Sequence, residues 1–222
     1  FALEKEKHEG VSADAIKKYA GCDAKQLRAA GYSAKDLAEA GFTPKQLKDA
    51  GFTPDEIAAA ERAAQALDNL RRQGCNIDAL KQARQAGVSA KTIRDKIGCS
   101  AAALRAAGYT AQQLKDAGYT PAELKRAGFS PQDLKNAGFT AQQLANAGFT
   151  PSQLKRAGFT AAQLKNAGLS ARALKGAGFS PSALKAAGYT AADLAKAGVT
   201  PQELKSLGFS PKEIQDAAAE LA

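Results

Sequence analysis

The stretch Ala127–Arg156 reads AGFSPQDLKN AGFTAQQLAN AGFTPSQLKR, three copies of one ten-residue unit. Its consensus, A-G-[FY]-[ST]-[AP]-x-[QDE]-L-[KA]-x, punctuates a helix at both ends. Ser or Thr is an N-cap whose side-chain oxygen accepts a backbone N–H. All eight Pro (44, 54, 121, 131, 151, 181, 201 and 211) follow such a cap. That is the first helical position, where a missing N–H costs nothing and the fixed φ suits a helix. Gln, Glu or Asp commonly stands at N3, and Gln or Glu there completes a capping box, as in Thr120 with Glu123. Leu is N4, and Gly is C′, the left-handed residue that stops the helix. The spacing predicts helices of about six or seven residues, which are unstable alone. Stacking on neighbours must supply the stability, as in a solenoid.

Outward from this stretch, Gly recurs every ten residues from 98 to 208, and an earlier block has Gly21, Gly31, Gly41 and Gly51. The aromatic residue serves two helices. Phe129 is C″ of one helix, where an apolar contact to Leu124 at C3 is expected, and N′ of the next, where it staples to Leu134 at N4. Repetition gives an apolar seam through Phe129, Leu134, Phe139, Leu144, Phe149, Leu154, Phe159 and Leu164. The expected fold class is all-α, a solenoid with one short helix per repeat. The alternative is a right-handed β-helix of pentapeptide type, because Leu and Phe alternate every five residues. Gln112, Gln132 and Lys35 oppose it, standing two residues before Leu where a small inward residue is needed. Repeated Ser/Thr-Pro also suits a helix start better than a strand interior.

The register breaks between Gly51 and Gly98. Asp55 to Gln73 runs without Gly or Pro and reads as one helix of about five turns. Asn76 caps a shorter helix, Ile77 to Ala86, that ends at Gly87. The organisation expected is repeat block one over 1–53, an insertion with longer helices over 54–97, repeat block two over 98–210, and a terminal helix over 211–222.

Composition bounds the chemistry. The chain has 222 residues, 45% of them hydrophobic, enough for a buried core, and no apolar run long enough to span a membrane. It begins at Phe1 with neither an initiator Met nor a signal-peptide pattern, and reads as an internal piece of a longer protein. Its one His, His8, lies in the charged run Glu4 to Glu9, away from any Cys. The three Cys are widely spaced and odd in number. Neither a zinc site nor a closed disulfide framework is expected, and no catalytic residue, metal or cofactor. Cys22, Cys75 and Cys99 each follow Gly, in the slot that Phe or Tyr fills elsewhere. They read as small apolar fillers of the seam, with an intermolecular disulfide in an oxidising compartment as the alternative.

Lys follows Leu at 115, 125, 135, 155, 165, 175, 185 and 205. The expected role is a solvated face near helix C-termini, where the dipole favours a cation. The alternative is a basic stripe for nucleic acid or an anionic surface, in a chain of net charge +9. Asp116, Glu123 and Asp133 dilute such a stripe, and the aromatics are committed to the seam.

Units such as AGYSAKDLAE (30–39), AGFTPKQLKD (40–49) and AGFTAQQLAN (137–146) resemble the repeat region of the DotG (IcmE) family. These are TrbI-type subunits of the Dot/Icm type IVB secretion system. The variants RQGCNIDAL (72–80) and KIGCSAAAL (96–104) belong to the same resemblance, which covers 10–53 and 74–210. It implies an inner-membrane anchor before the repeats, an outer-membrane-complex domain after them, and a periplasmic position for the repeats themselves. It implies no catalytic residues. The function expected is that of a non-enzymatic structural segment of a type IV secretion assembly, spacing membrane-bound parts and helping to form an envelope-spanning channel or collar. Expected partners are copies of itself, other secretion-system subunits and exported effector proteins; nucleic acid is not expected. The alternative function is a basic solenoid that binds nucleic acid or an anionic protein.

Overall fold

In the computed structural model, which describes residues 2–222 apart from the side chains of 18–20, every helix after the first begins at a capping side chain that accepts a backbone N–H. No strand occurs among the described residues, so the architecture is an all-α solenoid rather than a β-helix. The chain divides into two compact units, Phe1–Tyr109 and Thr110–Ala222.

The second unit shows the repeat in its regular form. Its helices are α10 Ala111–Asp116, α11 Pro121–Arg126, α12 Pro131–Asn136, α13 Ala141–Asn146, α14 Pro151–Arg156, α15 Ala161–Asn166, α16 Ala171–Gly176, α17 Pro181–Ala186, α18 Ala191–Lys196, α19 Pro201–Ser206 and the longer α20 Pro211–Leu221. At the end of α11, Phe129 N–H donates to Leu124 C=O and Gly128 N–H to Lys125 C=O. Those are the two bonds of a Schellman stop. Of the 20 Gly, 19 have positive φ; the exception, Gly176, lies inside α16. A capping box closes α12, where Ser130 and Asp133 each accept the other's backbone N–H.

Packing follows a two-repeat rhythm. Most helices touch a sequence neighbour and also the helix two further on, as in α10 with α12, α11 with α13 and α12 with α14. One turn of the solenoid is therefore two repeats, twenty residues. The Leu at the centre of each helix is sealed, with Leu114, Leu124, Leu134, Leu144, Leu154 and Leu164 all at 0% exposure. Phe129, Phe139, Phe149 and Phe159 are buried beside them.

The first unit contains α1 Ala2–His8, α2 Ala13–Ala20, α3 Ala24–Ala29, α4 Ala34–Glu39, α5 Pro44–Asp49, the twenty-residue α6 Pro54–Gln73, α7 Ile77–Gln85, α8 Ala90–Lys96 and α9 Ala101–Ala106. The two-repeat contacts persist in α2 with α4, α3 with α5 and α7 with α9. Across the long helix the chain returns to α4. Thr92 Oγ1 donates to Glu39 Oε2 at 3.3 Å, and Lys96 Nζ donates to the Glu39 carbonyl at 3.0 Å. Segment 54–97 thus packs with the preceding repeats in one unit.

The cysteines correct an expectation. Cys75 and Cys99 are joined in an intrachain disulfide rather than acting as separate apolar fillers. The physical reason is the two-repeat stack. Slots 24 residues apart in sequence stand in one column, with Cα atoms 5.5 Å apart, a normal span for a bridge. Cys22 lies outside the bridge, half-buried against the N-terminal apolar cluster.

Candidate functional site

A helix of six residues leaves most of its C-terminal carbonyls without intrahelical donors, and its dipole places partial negative charge there. The repeat answers both with a cation from two helices earlier. Lys115 on α10 donates to Ala137 C=O at the end of α12 (3.1 Å), Lys125 to Gly148 C=O (3.0 Å) and Lys155 to Gly178 C=O (3.0 Å). Lys185 makes the same bond to Leu207 C=O. In the first unit, Lys17 reaches Ala40 C=O, and Arg84 Nε reaches Ala107 C=O.

The same cations lie over the aromatic residue that follows that carbonyl. Lys115 Nζ is 5.2 Å from the Phe139 ring centroid, Lys125 5.3 Å from Phe149, Lys135 5.5 Å from Phe159, and Lys155 5.3 Å from Phe179. Lys165 over Tyr189, Lys185 over Phe209, Lys17 over Phe42 and Arg28 over Phe52 continue the pattern. The glycine between carbonyl and ring is part of the clamp. At Gly138, with φ +93°, an added Cβ would stand 2.9 Å from Lys115 Nζ. Glycine is thus required there by its left-handed backbone and favoured by the room it leaves for the ammonium group.

These residues covary along the chain. From 105 to 185 the position after Leu is basic in every repeat except at Ala145. Its counterpart 24 residues on is Leu169, the one slot between 109 and 189 that is not aromatic. No atom beyond its chain neighbours lies within 4 Å of a Cβ placed at Gly168. Where the cation is absent, so is the ring. Lys175 departs from the rule, since it faces Val199.

A second tie runs in the opposite direction. Tyr32 Oη donates to Val11 C=O, Tyr109 Oη to Val88 C=O, and Tyr189 Oη to Leu169 C=O, 20 or 21 residues back. In each case the earlier slot holds an aliphatic residue where Phe stands elsewhere. Burial pushes the Tyr109 phenol up to about 12, against the lowering effect of Arg84. Burial likewise raises Tyr32 and Tyr189, with smaller contributions from Glu6 and Asp36 on the first and Asp193 on the second.

Lys115, Lys125, Lys135, Lys155, Lys165 and Lys185 thus tie one turn to the next while staying partly or largely in solvent, and sequence reasoning placed them near helix C-termini without identifying the helices they serve. The legible signal was the 24-residue pairing of Lys with aromatic residues. The open groove bounded by Lys135, Phe139 and Phe159, repeated at Lys17, Cys22 and Phe42, has the clamp itself for its wall. Leu134, Leu144, Leu154 and Leu164 are brought together with Phe129, Phe139, Phe149 and Phe159 in the buried interior. His8, at the end of α1, joins no group of side chains able to hold a metal; none exists among the described residues. No helix among them is long and apolar enough to cross a membrane.

The family model described as the decapeptide repeat region matches residues 10–84, 87–161 and 148–221. No curated protein and no solved structure matches the chain.

Proposed function

This chain belongs to the decapeptide repeat family, and on that premise we propose that it is a non-enzymatic structural segment, a spacer within a bacterial type IV secretion assembly of the Dot/Icm kind. The observation that carries this reading is the clamp. The side chains best suited to recruit an anionic ligand are spent on holding one turn of the solenoid to the next. Repeats stacked this way set a distance, and each added turn of twenty residues lengthens it. Its partners in this reading are copies of itself, other subunits of the assembly, and exported effector proteins that pass along it. Its position is periplasmic. The Cys75–Cys99 disulfide supports an oxidising compartment, where such bonds form and persist.

Export measured in cells tests the reading. Deleting one full turn, Gly118–Ala137, should lower export, because the spacing shortens while the fold survives. Arg156→Gln with Arg172→Gln, two exposed positions, should leave export unchanged. The reverse outcome overturns the spacer.

One observation favours a second reading, an anionic partner. Between Asp133 and Asp193 the chain carries Lys135, Lys155, Arg156, Lys165, Arg172, Lys175 and Lys185 and no acidic residue. Binding through that stretch would weaken steeply between low and moderate salt, whereas seam-driven assembly would not.

A further inference from the structure

We propose that Cys75 is a thiol-exchange site, the sulfur through which a partner protein carrying two vicinal thiols opens and closes the Cys75–Cys99 disulfide. The two halves of the bridge differ in access. Cys99 is 3% exposed, whereas Cys75 is exposed. An incoming thiolate has one sulfur to attack, and the buried one leaves. Cys75 lies in the short turn Gly74-Cys75-Asn76 between α6 and α7, opened by Gly74 at φ +71°. Ile77, two residues on, is 45% exposed. Ile77 and Leu221 are the exposed large apolar side chains among the described residues. An apolar side chain left in water beside an approachable sulfur is a contact that an arriving protein would cover.

The exchange balances. The partner's thiolate forms a bond to Cys75 Sγ, the Cys75–Cys99 bond breaks, and Cys99 departs as a thiolate that takes a proton from solvent. The partner's second thiol, deprotonated, then attacks the partner's first sulfur in the mixed disulfide, and Cys75 leaves as a thiolate that takes a proton from solvent. Two electrons pass from the dithiol to the bridge, and the reverse sequence closes it. Slots two repeats apart are elsewhere tied by noncovalent contacts, such as Tyr109 Oη to Val88 C=O. The bridge is the tie in the column that redox chemistry can undo, and it pins the α6–α7 turn to the α8–α9 turn.

A trapping experiment decides the matter. The oxidised full chain, and its Cys22→Ser variant, are mixed without denaturant with a C-x-x-C dithiol protein whose resolving Cys has been replaced by Ser. Peptide mapping should place the mixed disulfide on Cys75 in about tenfold excess over Cys99, in both proteins, with the helical circular dichroism unchanged. Cys75→Ser should reduce the adduct to background, because it removes the disulfide that the trapping thiolate attacks. An adduct mapped to Cys99, no adduct at all, or one formed only in denaturant overturns the proposal.

Discussion

At the scale of single residues, the clamp and the carboxylates make opposite statements about charge. Lys135 lies over the Phe159 ring, a contact worth about 0.5–1 kcal/mol at a partly exposed site. Lys135→Gln and Phe159→Leu should each destabilise, and in combination should cost less than their sum by about that amount; chemical denaturation of the four proteins measures it. Glu39 is the costly charge. Its Oε1 is buried without a hydrogen-bond partner, and burial holds its carboxyl above the usual range despite Lys35, Lys96 and the Thr92 bond. A raised carboxylate favours the folded state at low pH and loses that advantage as pH rises through the folded value. Glu39→Gln should therefore raise the thermal midpoint at pH 7, and the gain should vanish near pH 4. Glu203 and Glu213 behave the other way. Backbone N–H bonds from Thr200 and Ser210 hold them below the usual range, so their contribution is present at neutral pH and lost on acidification.

At the scale of the element, each helix is defined by its ends. Most repeats close a reciprocal capping box, as Thr150 does with Gln153, but α16 and α17 carry Ala173 and Ala183 at N3 and keep a single cap bond. Ala183→Gln should restore the box and stabilise the chain by about 0.3–1.5 kcal/mol, read as a shift in denaturation midpoint. The seam offers the larger effect. Phe139, 6% exposed, lies among fully buried Leu side chains. Phe139→Ala should cost about 3–5 kcal/mol. In a repeat array the damage concentrates in adjacent units, so amide exchange should accelerate around α12 and α13 and stay slow in α18 and α19.

At the scale of the molecule, two periods coexist, ten residues for the helix and twenty for the turn. Deleting five residues would set Phe where Leu belongs and unfold its neighbourhood. Deleting Gly128–Ala137 should leave a folded chain, because Lys115 would then meet Phe149 in a standard clamp. It would also shift every later repeat of that unit by half a turn. Deleting Gly118–Ala137 removes a whole turn and keeps later repeats on their original side. Both variants should retain helical circular dichroism and cooperative melting, whereas only the full-turn deletion should keep native assembly in a cross-linking assay. In the first unit, the disulfide restrains a stretch of 24 residues, worth about 3–4 kcal/mol in the chain-entropy view.

Local structure was legible because it is decided by near neighbours. Thr150, Pro151 and Gln153 start a helix through bonds three residues long, and Gly158 stops it through a backbone angle that side chains disfavour. The helical class, the six-residue length and the long helix at 54–73 all follow from such short-range chemistry. What stands two repeats away is a property of the superhelix. The number of helices per turn comes from how the Leu and Phe side chains of successive units share one interior, and no local bond encodes it. That number decided that Lys115 meets Phe139, that Tyr109 meets Val88, and that Cys75 lies against Cys99. Each pair is 21 to 24 residues apart. A cation, a phenol and a thiol read one at a time point to solvent or to the seam, and only the closed turn places their partners beside them.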